Sequence, residues 1–412
     1  MDTTAGSFSR RDVRVLSVVC AGHFFSHFYI ITLPPLFFAI NHDLGISFVL
    51  LGALMSIRSG VGGFMQIPAG ILVDRIGAKP VILGGMLLQG SACLLSGFAT
   101  NYLILVLCSV GIALGSSVFH PTDYAILNAS IDQKYTGRVF ALHSFIGQVG
   151  TAVSPIVVGT LAVTFNWRVA QIAVGLIGFP VVLALMTQWS AMRDDIVPTK
   201  KKKASEAGPA VRRTAWEEIQ TFLSKPMLIM FLFFSMTSIQ SNGIQSFFVS
   251  GLSAVHSGTS IAAGSAALTA YLSLLAVGVL GGGWVVDMFG RQDVTAAVAF
   301  AISTVIMLLI AFFDIGYVGL VLIMGISGLM QGAIRPARDM MVRALVPKAA
   351  MGRAFGFVSS GQAIGGACAP IAFGWFIDIG RADVIFYALA LFTGLCVLAS
   401  IVPKEVAHVK SM

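Results

Sequence analysis

Apolar residues run through this chain in long blocks, with none of the alternation of a half-buried strand. Each block reaches or exceeds the roughly 20 residues that an α-helix needs to cross a bilayer. Twelve are predicted, over 13–40, 47–73, 79–99, 102–128, 138–164, 168–190, 226–250, 262–286, 293–313, 316–341, 353–379 and 383–402. Helices are the required form, because lipid offers no partner to an open strand edge and the blocks do not alternate as barrel strands do. One polar stretch interrupts the series. Residues 191–225 hold Arg193, the run Lys200 to Lys203, Arg212, Arg213 and Lys225, together with Pro198, Gly208 and Pro209. This stretch predicts a cytoplasmic linker between a six-span bundle over 1–190 and a second over 226–412, with a short surface helix at Thr214–Phe222. The lysine run reads either as an anchor beside anionic lipid or as a regulatory docking site.

Charge fixes the expected orientation. With the N-terminus in the cytoplasm, 21 of the 26 basic residues face inward, Arg168 and Arg381 face outward, and three lie inside spans. The reverse orientation inverts that bias and is rejected. Both termini are therefore expected in the cytoplasm. The net charge of +8 is a topological signal, not a face for a polyanion. Composition agrees: 57% of the 412 residues are apolar and 11% charged, and mean hydropathy is +0.89. A soluble domain carries about 25% charged residues, so a soluble enzyme, a disordered chain and a nucleic-acid binder are excluded. The five cysteines (Cys20, Cys93, Cys108, Cys368, Cys396) all lie in apolar blocks and are read as small packing residues. Neither a disulfide framework nor a metal cluster follows from their spacing, and no metal ligand set is assigned. The first apolar block is too long for a cleavable signal.

The two halves repeat each other. Gly70-Ile-Leu-Val-Asp74-Arg75-Ile-Gly77 recurs as Gly283-Trp-Val-Val-Asp287-Met-Phe-Gly290, at an offset of 213. Gly137-Arg138-Val-Phe140 recurs as Gly352-Arg353-Ala-Phe355, at 215. Gly147-Gln148 matches Gly361-Gln362, Gly150 matches Gly365, Pro155 matches Pro370, Gly159 matches Gly374, and His120-Pro121 aligns with Arg335-Pro336. Two homologous six-helix halves related by an axis along the membrane normal are a secondary-transporter plan.

On these residues the whole chain resembles the major facilitator superfamily. Gly70-x-x-x-Asp74-Arg75-x-Gly77-x-Lys79 is similar to that superfamily's loop motif between spans two and three, and the second copy ends in Gly290-Arg291. Span five, with Gly147, Gly150, Pro155 and Gly159, resembles the motif often seen in its antiporters. His23-Phe-Phe-Ser-His27 with Leu33-Pro34, and Phe119-His120-Pro121, resemble fosmidomycin-resistance-type efflux proteins. The chain departs from many proton-coupled exporters of the superfamily in span four. Those carry an arginine four residues before a glycine, and here the positions are Leu107 and Gly111. The implied fold is an all-α polytopic membrane protein, twelve transmembrane helices in two homologous six-helix bundles, in a bacterial inner membrane.

Candidate chemistry lies inside the spans, where ionisable groups are costly. Arg58 sits 11 residues into span two, close to the midplane, and its repeat equivalent is Tyr271. A lone buried guanidinium seeks a carboxylate, phosphate or phosphonate, so Arg58 is either an anion-binding residue or one side of a structural pair with Asp123. His23 and His27, four apart on one face of span one, suit proton coupling, substrate contact or packing. Span seven carries Gln240, Ser241, Asn242, Gly243 and Gln245, candidates for substrate or inter-helix hydrogen bonds. His120 and Asp123 in span four, with Arg335, Arg338 and Asp339 in span ten, form a possible charge network linking a proton to a gate. Pro121 and Pro336 are expected to kink their helices. Gly70, Asp74, Arg75, Gly77, Arg138, Gly283, Asp287, Gly290, Arg291 and Arg353 are candidate gating residues or positive-inside anchors. Gly147, Gly150, Pro155, Gly159, Gly365, Pro370 and Gly374 are candidate helix-interface residues, sliding or static.

No catalytic constellation and no Gly-rich Lys-Ser/Thr phosphate loop is present, so neither an enzyme nor an ATP-driven pump is expected, and no cofactor. The leading expectation is a monomeric transporter working by alternating access, with its substrate site between the halves. It couples protons to efflux of a small anionic or polar compound. Organic-anion uptake, lipophilic-cation efflux, and a non-transporting sensor or assembly protein on the same fold are the competitors.

Overall fold

The structure, a computed structural model, describes residues 9–132, 135–193, 224–256, 259–289, 291–345 and 351–401. Every regular element among them is a helix. Lys200 to Lys203 and the helix expected at 214–222 lie outside the described residues. In chain order the elements are α1 (Arg10–Ile30), a 3-10 turn (Pro34–Leu36), α2 (Phe37–Leu44), α3 (Phe48–Ile76), α4 (Ala78–Ser96), α5 (Tyr102–Ser117), α6 (Phe119–Ser130), α7 (Thr136–Thr164), α8 (Trp167–Leu176) and α9 (Gly178–Thr187). They continue with α10 (Lys225–Val255), α11 (Ile261–Phe289), α12 (Gln292–Phe312), α13 (Tyr317–Leu345), α14 (Met351–Asp378) and α15 (Asp383–Ile401). Eleven segments of the described residues are long and apolar enough to cross a bilayer. The 28-residue α14 completes the twelve.

Three of the twelve spans are broken, and the breaks share one cause. A proline cannot donate to the carbonyl four residues before it, and its ring presses on that carbonyl. α1 stops at Ile30, four residues before Pro34; α5 stops at Ser117, four before Pro121; α8 stops at Leu176, four before Pro180. Pro68, Pro155 and Pro370 stay inside continuous helices. So does Pro336, within the continuous α13.

The chain divides into two compact units, the first within residues 1–46 and 57–197, the second within 47–56 and 198–412. Hydrophobicity does not hold such helices together, because lipid tails are as apolar as leucine; close van der Waals packing does. Small residues supply the closeness. In the first unit α7 lies on α1 at Gly150, where a Cβ would strike the carbonyl of Phe24. In the second unit α14 lies on α10 at Gly365, where a Cβ would strike the carbonyl of Ser235. These two glycines are the repeat partners read from the sequence. Gly159 is buried on α7. Gly374 meets the carbonyl of Phe48, at the start of α3, within the second unit. There Asp378 caps the first turn, taking hydrogen bonds from the amides of Phe48 and Val49 at 2.8 Å each. Cys20, Cys93, Cys108 and Cys396 are buried as packing residues, but Cys368 is exposed on α14. Its block is apolar on every face, so sequence alone did not separate its outer side from its inner one.

Gly150→Ala is expected to destabilise the purified protein by about 1–3 kcal/mol or more, since the added methyl meets backbone that cannot swing aside. Gly84→Ala, in open space on α4, should leave the melting temperature nearly unchanged. Equal melting temperatures for both variants would contradict this packing.

Candidate functional site

Each unit gathers polar side chains of a different kind. In the first unit, α1 presents His23 and His27 one turn apart on one face. The break before Pro121 starts α6 at Phe119, which carries His120 and Asp123, and α7 adds His143. His23 Nδ1 and His143 Nε2 each lie 2.9 Å from the same oxygen, Asp123 Oδ2. The His23 and His143 rings stack with centroids 3.7 Å apart. The rings of His27 and His120 lie 4.5 and 5.4 Å from His23. His27 Nδ1 is 3.2 Å from Thr151 Oγ1. His23, Asp123 and His143 are buried, at 2%, 0% and 0% exposure, whereas His27 and His120 are half-buried. A buried carboxylate needs donors around it, and here His143 supplies a hydrogen bond while His23 stands at ion-pair distance. Gly147 makes the arrangement possible, because a Cβ there would stand 2.6 Å from the His23 ring and 3.1 Å from that of His27.

His143 was missed by the sequence reading. It is an ionisable residue inside a predicted span, so the criterion that selected His23 and His27 selects it too. Asp123 was offered as the partner of Arg58, and the structure gives both residues other partners. α1 ends early, leaving its last carbonyls without helical donors. Arg58 Nη1 donates to those of Tyr29 and Ile30. A cation at a helix C-terminus is also favoured by the helix dipole. Arg58, 4% exposed, thus fastens α3 to the end of α1 within the first unit.

The second unit holds a polar cavity of about 160 Å³. Span seven contributes Thr237, Ser238, Ser241 and Asn242, one side of α10. Asn242 Nδ2 donates to the carbonyl of Ser238 at 3.0 Å, and Ser238 Oγ to the carbonyl of Gln362 at 2.6 Å. Tyr271 on α11 lines the cavity with a buried hydroxyl that has no hydrogen-bond partner among the described residues. Gln331, Arg335 and Arg338 line it from α13 and Gln362 from α14. The Arg338 guanidinium lies 4.2 Å over the ring of Phe234, a placement that holds it by cation–π attraction. No carboxylate occurs among the described residues that line the cavity. The four polar residues of span seven, Gln240, Ser241, Asn242 and Gln245, do not act together. A helix turns by 100° per residue, so Gln240 is buried away from the cavity and Gln245 donates to Ser241 Oγ at 3.0 Å. Gly243 is covered by the ring of Phe373.

The expected gating residues are placed in part. Gly77 ends α3 with φ of 89°, a conformation that favours glycine, and turns the chain directly into α4. Gly70 lies in open space. Asp74, Arg75, Arg138 and Arg291 are exposed. Gly290 lies outside the described residues, as do the side chains at Gly283, Asp287, Asp339 and Arg353.

Known proteins share this sequence and architecture. The description "Major Facilitator Superfamily" matches residues 19–266 and 236–411. A probable L-galactonate transporter of Escherichia coli is 30% identical over 139 residues, which is 34% of this chain and 31% of that protein. A probable sulfoacetate transporter of Cupriavidus necator is 26% identical over 161 residues, 39% of this chain and 37% of that protein. The chain thus matches only about a third of the length of these two relatives. Multidrug resistance protein MdtH of Salmonella paratyphi B is 24% identical over 362 residues, 86% of this chain and 84% of that protein. Among solved structures, the nucleoside transporter NupG superposes with a TM-score of 0.74 at 16% identity, over 95% of this chain and 98% of that one. A bacterial homolog to the human lysosomal transporter Spinster superposes with a TM-score of 0.73 at 15% identity, over 96% of both chains. With its repeated halves, eleven described segments able to cross a membrane and a family match that runs nearly from end to end, the chain belongs to the major facilitator superfamily and is a multi-pass membrane protein.

Proposed function

We propose that this transporter carries a small organic anion, a carboxylate or sulfonate, and holds it in the cavity of the second unit against Arg335 and Arg338. One observation carries the reading: two guanidinium groups and the unpartnered hydroxyl of Tyr271 line one polar cavity. A guanidinium pairs with a carboxylate or sulfonate through two parallel hydrogen bonds. Tyr271, Asn242 and Gln362 offer further hydrogen bonds that select among anions. The names of two relatives, a galactonate and a sulfoacetate transporter, support the same substrate class. Such a cavity repels a lipophilic cation. We place the anion at Arg335 and Arg338 rather than at Arg58, whose Nη1 donates to the end of α1 and whose Nε and Nη2 are buried without a hydrogen-bond partner among the described residues.

Alternating access in a bacterial inner membrane, with export driven by protons, completes the proposal. The resemblance of spans one, four and five to efflux proteins and antiporters supports it, as does the likeness to a multidrug resistance protein.

In a melting assay on purified protein, small carboxylates and sulfonates are expected to stabilise the wild type. An anion at 100 times its dissociation constant adds about 2.7 kcal/mol. Arg335→Ala and Arg338→Ala should each abolish that gain. Stabilisation that survives both substitutions and vanishes in Arg58→Ala would return the anion to Arg58. In proteoliposomes loaded with the stabilising anion, an inward proton gradient should speed its exit several-fold, and a protonophore should remove the effect. Flux indifferent to the gradient would remove proton coupling.

A further inference from the structure

The cluster at α1, α6 and α7 has a chemistry that an anion cavity does not use. Its three buried ligand atoms, His23 Nδ1, Asp123 Oδ2 and His143 Nε2, all lie within 4.8 Å of one another. Both nitrogens lie 2.9 Å from one carboxylate oxygen. Only the His143 contact is aligned as a hydrogen bond. His23 Nδ1 and Asp123 Oδ1 are buried without a hydrogen-bond partner among the described residues. Buried polar atoms are almost always paired, so the unpaired His23 Nδ1 and the spare Asp123 oxygen mark a place where something else can bind.

We propose that His23, Asp123 and His143 bind one divalent transition-metal ion of the zinc, cobalt and nickel class, with water in the fourth position. Two imidazoles and a carboxylate are the donors that these ions accept, whereas magnesium and calcium take oxygen alone. Ligands held about 2.0–2.1 Å from a tetrahedral ion stand roughly 3.3 Å apart. Two of the three separations, at 2.9 Å, therefore need to widen by about 0.4 Å to reach that spacing. The carboxylate supplies one negative charge to an otherwise neutral ligand set, which favours a dication there. The half-buried rings of His27 and His120 flank His23, and the ring of the exposed Tyr124 lies 6.1 Å from that of His120. The bound ion ties α1, α6 and α7 together in the first unit. This site stands independently of the anion cavity, which lies in the other unit.

No spacing motif announced these ligands, because they come from three helices. The test uses full-length protein in detergent, freed of any affinity tag, stripped with a chelator and titrated with Co²⁺. One equivalent per chain is expected to bind, with the visible bands of a four- or five-coordinate ion and a rise in melting temperature. Zn²⁺ should displace Co²⁺ and bleach the bands. His23→Gln and His143→Gln should lose the bands while remaining monodisperse. His256→Gln, at a ring that contacts the carbonyl of Ile310 in the second unit, should keep them. Asp123→Asn preserves shape and serves if the histidine variants do not fold; its Co²⁺ affinity should fall ~10-fold or more. The absence of saturable one-equivalent binding in the wild type would overturn the proposal and leave a cluster that holds protons only. Bands that survive in His143→Gln, or an unchanged affinity in Asp123→Asn, would overturn it as well.

Discussion

Inside a bilayer every backbone carbonyl must find its donor within the protein, and a proline, lacking an amide hydrogen, leaves the carbonyl four residues upstream without its helical donor. Much of the first unit follows from that constraint. Pro34 ends α1 at Ile30, and the freed carbonyls of Tyr29 and Ile30 become the anchor for Arg58. Pro121 ends α5 at Ser117 and begins α6 at Phe119. The new helix carries His120 and Asp123 against α1 and α7. The polar centre of the unit is therefore assembled by the same breaks that a lipid-facing helix cannot tolerate without compensation.

The two units share a backbone plan and differ in chemistry. Gly150 and Gly365 hold equivalent helix pairs in backbone contact, α7 on α1 and α14 on α10. On that common frame the equivalent positions diverge. His120 and Asp123 of the first unit correspond to Arg335 and Arg338 of the second, and Arg58 corresponds to Tyr271. One unit has become a site of imidazoles around a carboxylate, the other a cavity of guanidiniums and neutral hydrogen-bonding groups. A duplicated fold with one cationic cavity and one titratable cluster separates two ligands by charge.

The long-range plan was legible in the sequence because it rests on local properties. Span length, the repeat offset and the family resemblance all survive without knowing any contact. The pairing of polar residues was not legible, for a definite reason. Asp123 has two eligible kinds of partner, an arginine on span two and histidines on spans one and five, and only the end of α1 decides between them. Once Arg58 takes the carbonyls of that end, Asp123 is left to His23 and His143. Similarly, the four polar residues of span seven look alike in one dimension. Helical rotation turns Ser241 and Asn242 into the cavity and Gln240 out of it. His143 was readable and was passed over, since it stands outside every motif that drew attention to its span.

The central claim is that the anion binds in the second unit, at Arg335 and Arg338. Crystals of the protein soaked in selenate, with diffraction collected at the selenium absorption edge, locate a bound oxyanion directly. The account predicts an anomalous peak within hydrogen-bond reach of both guanidinium groups. A peak at Arg58, with none in the cavity of the second unit, would contradict it.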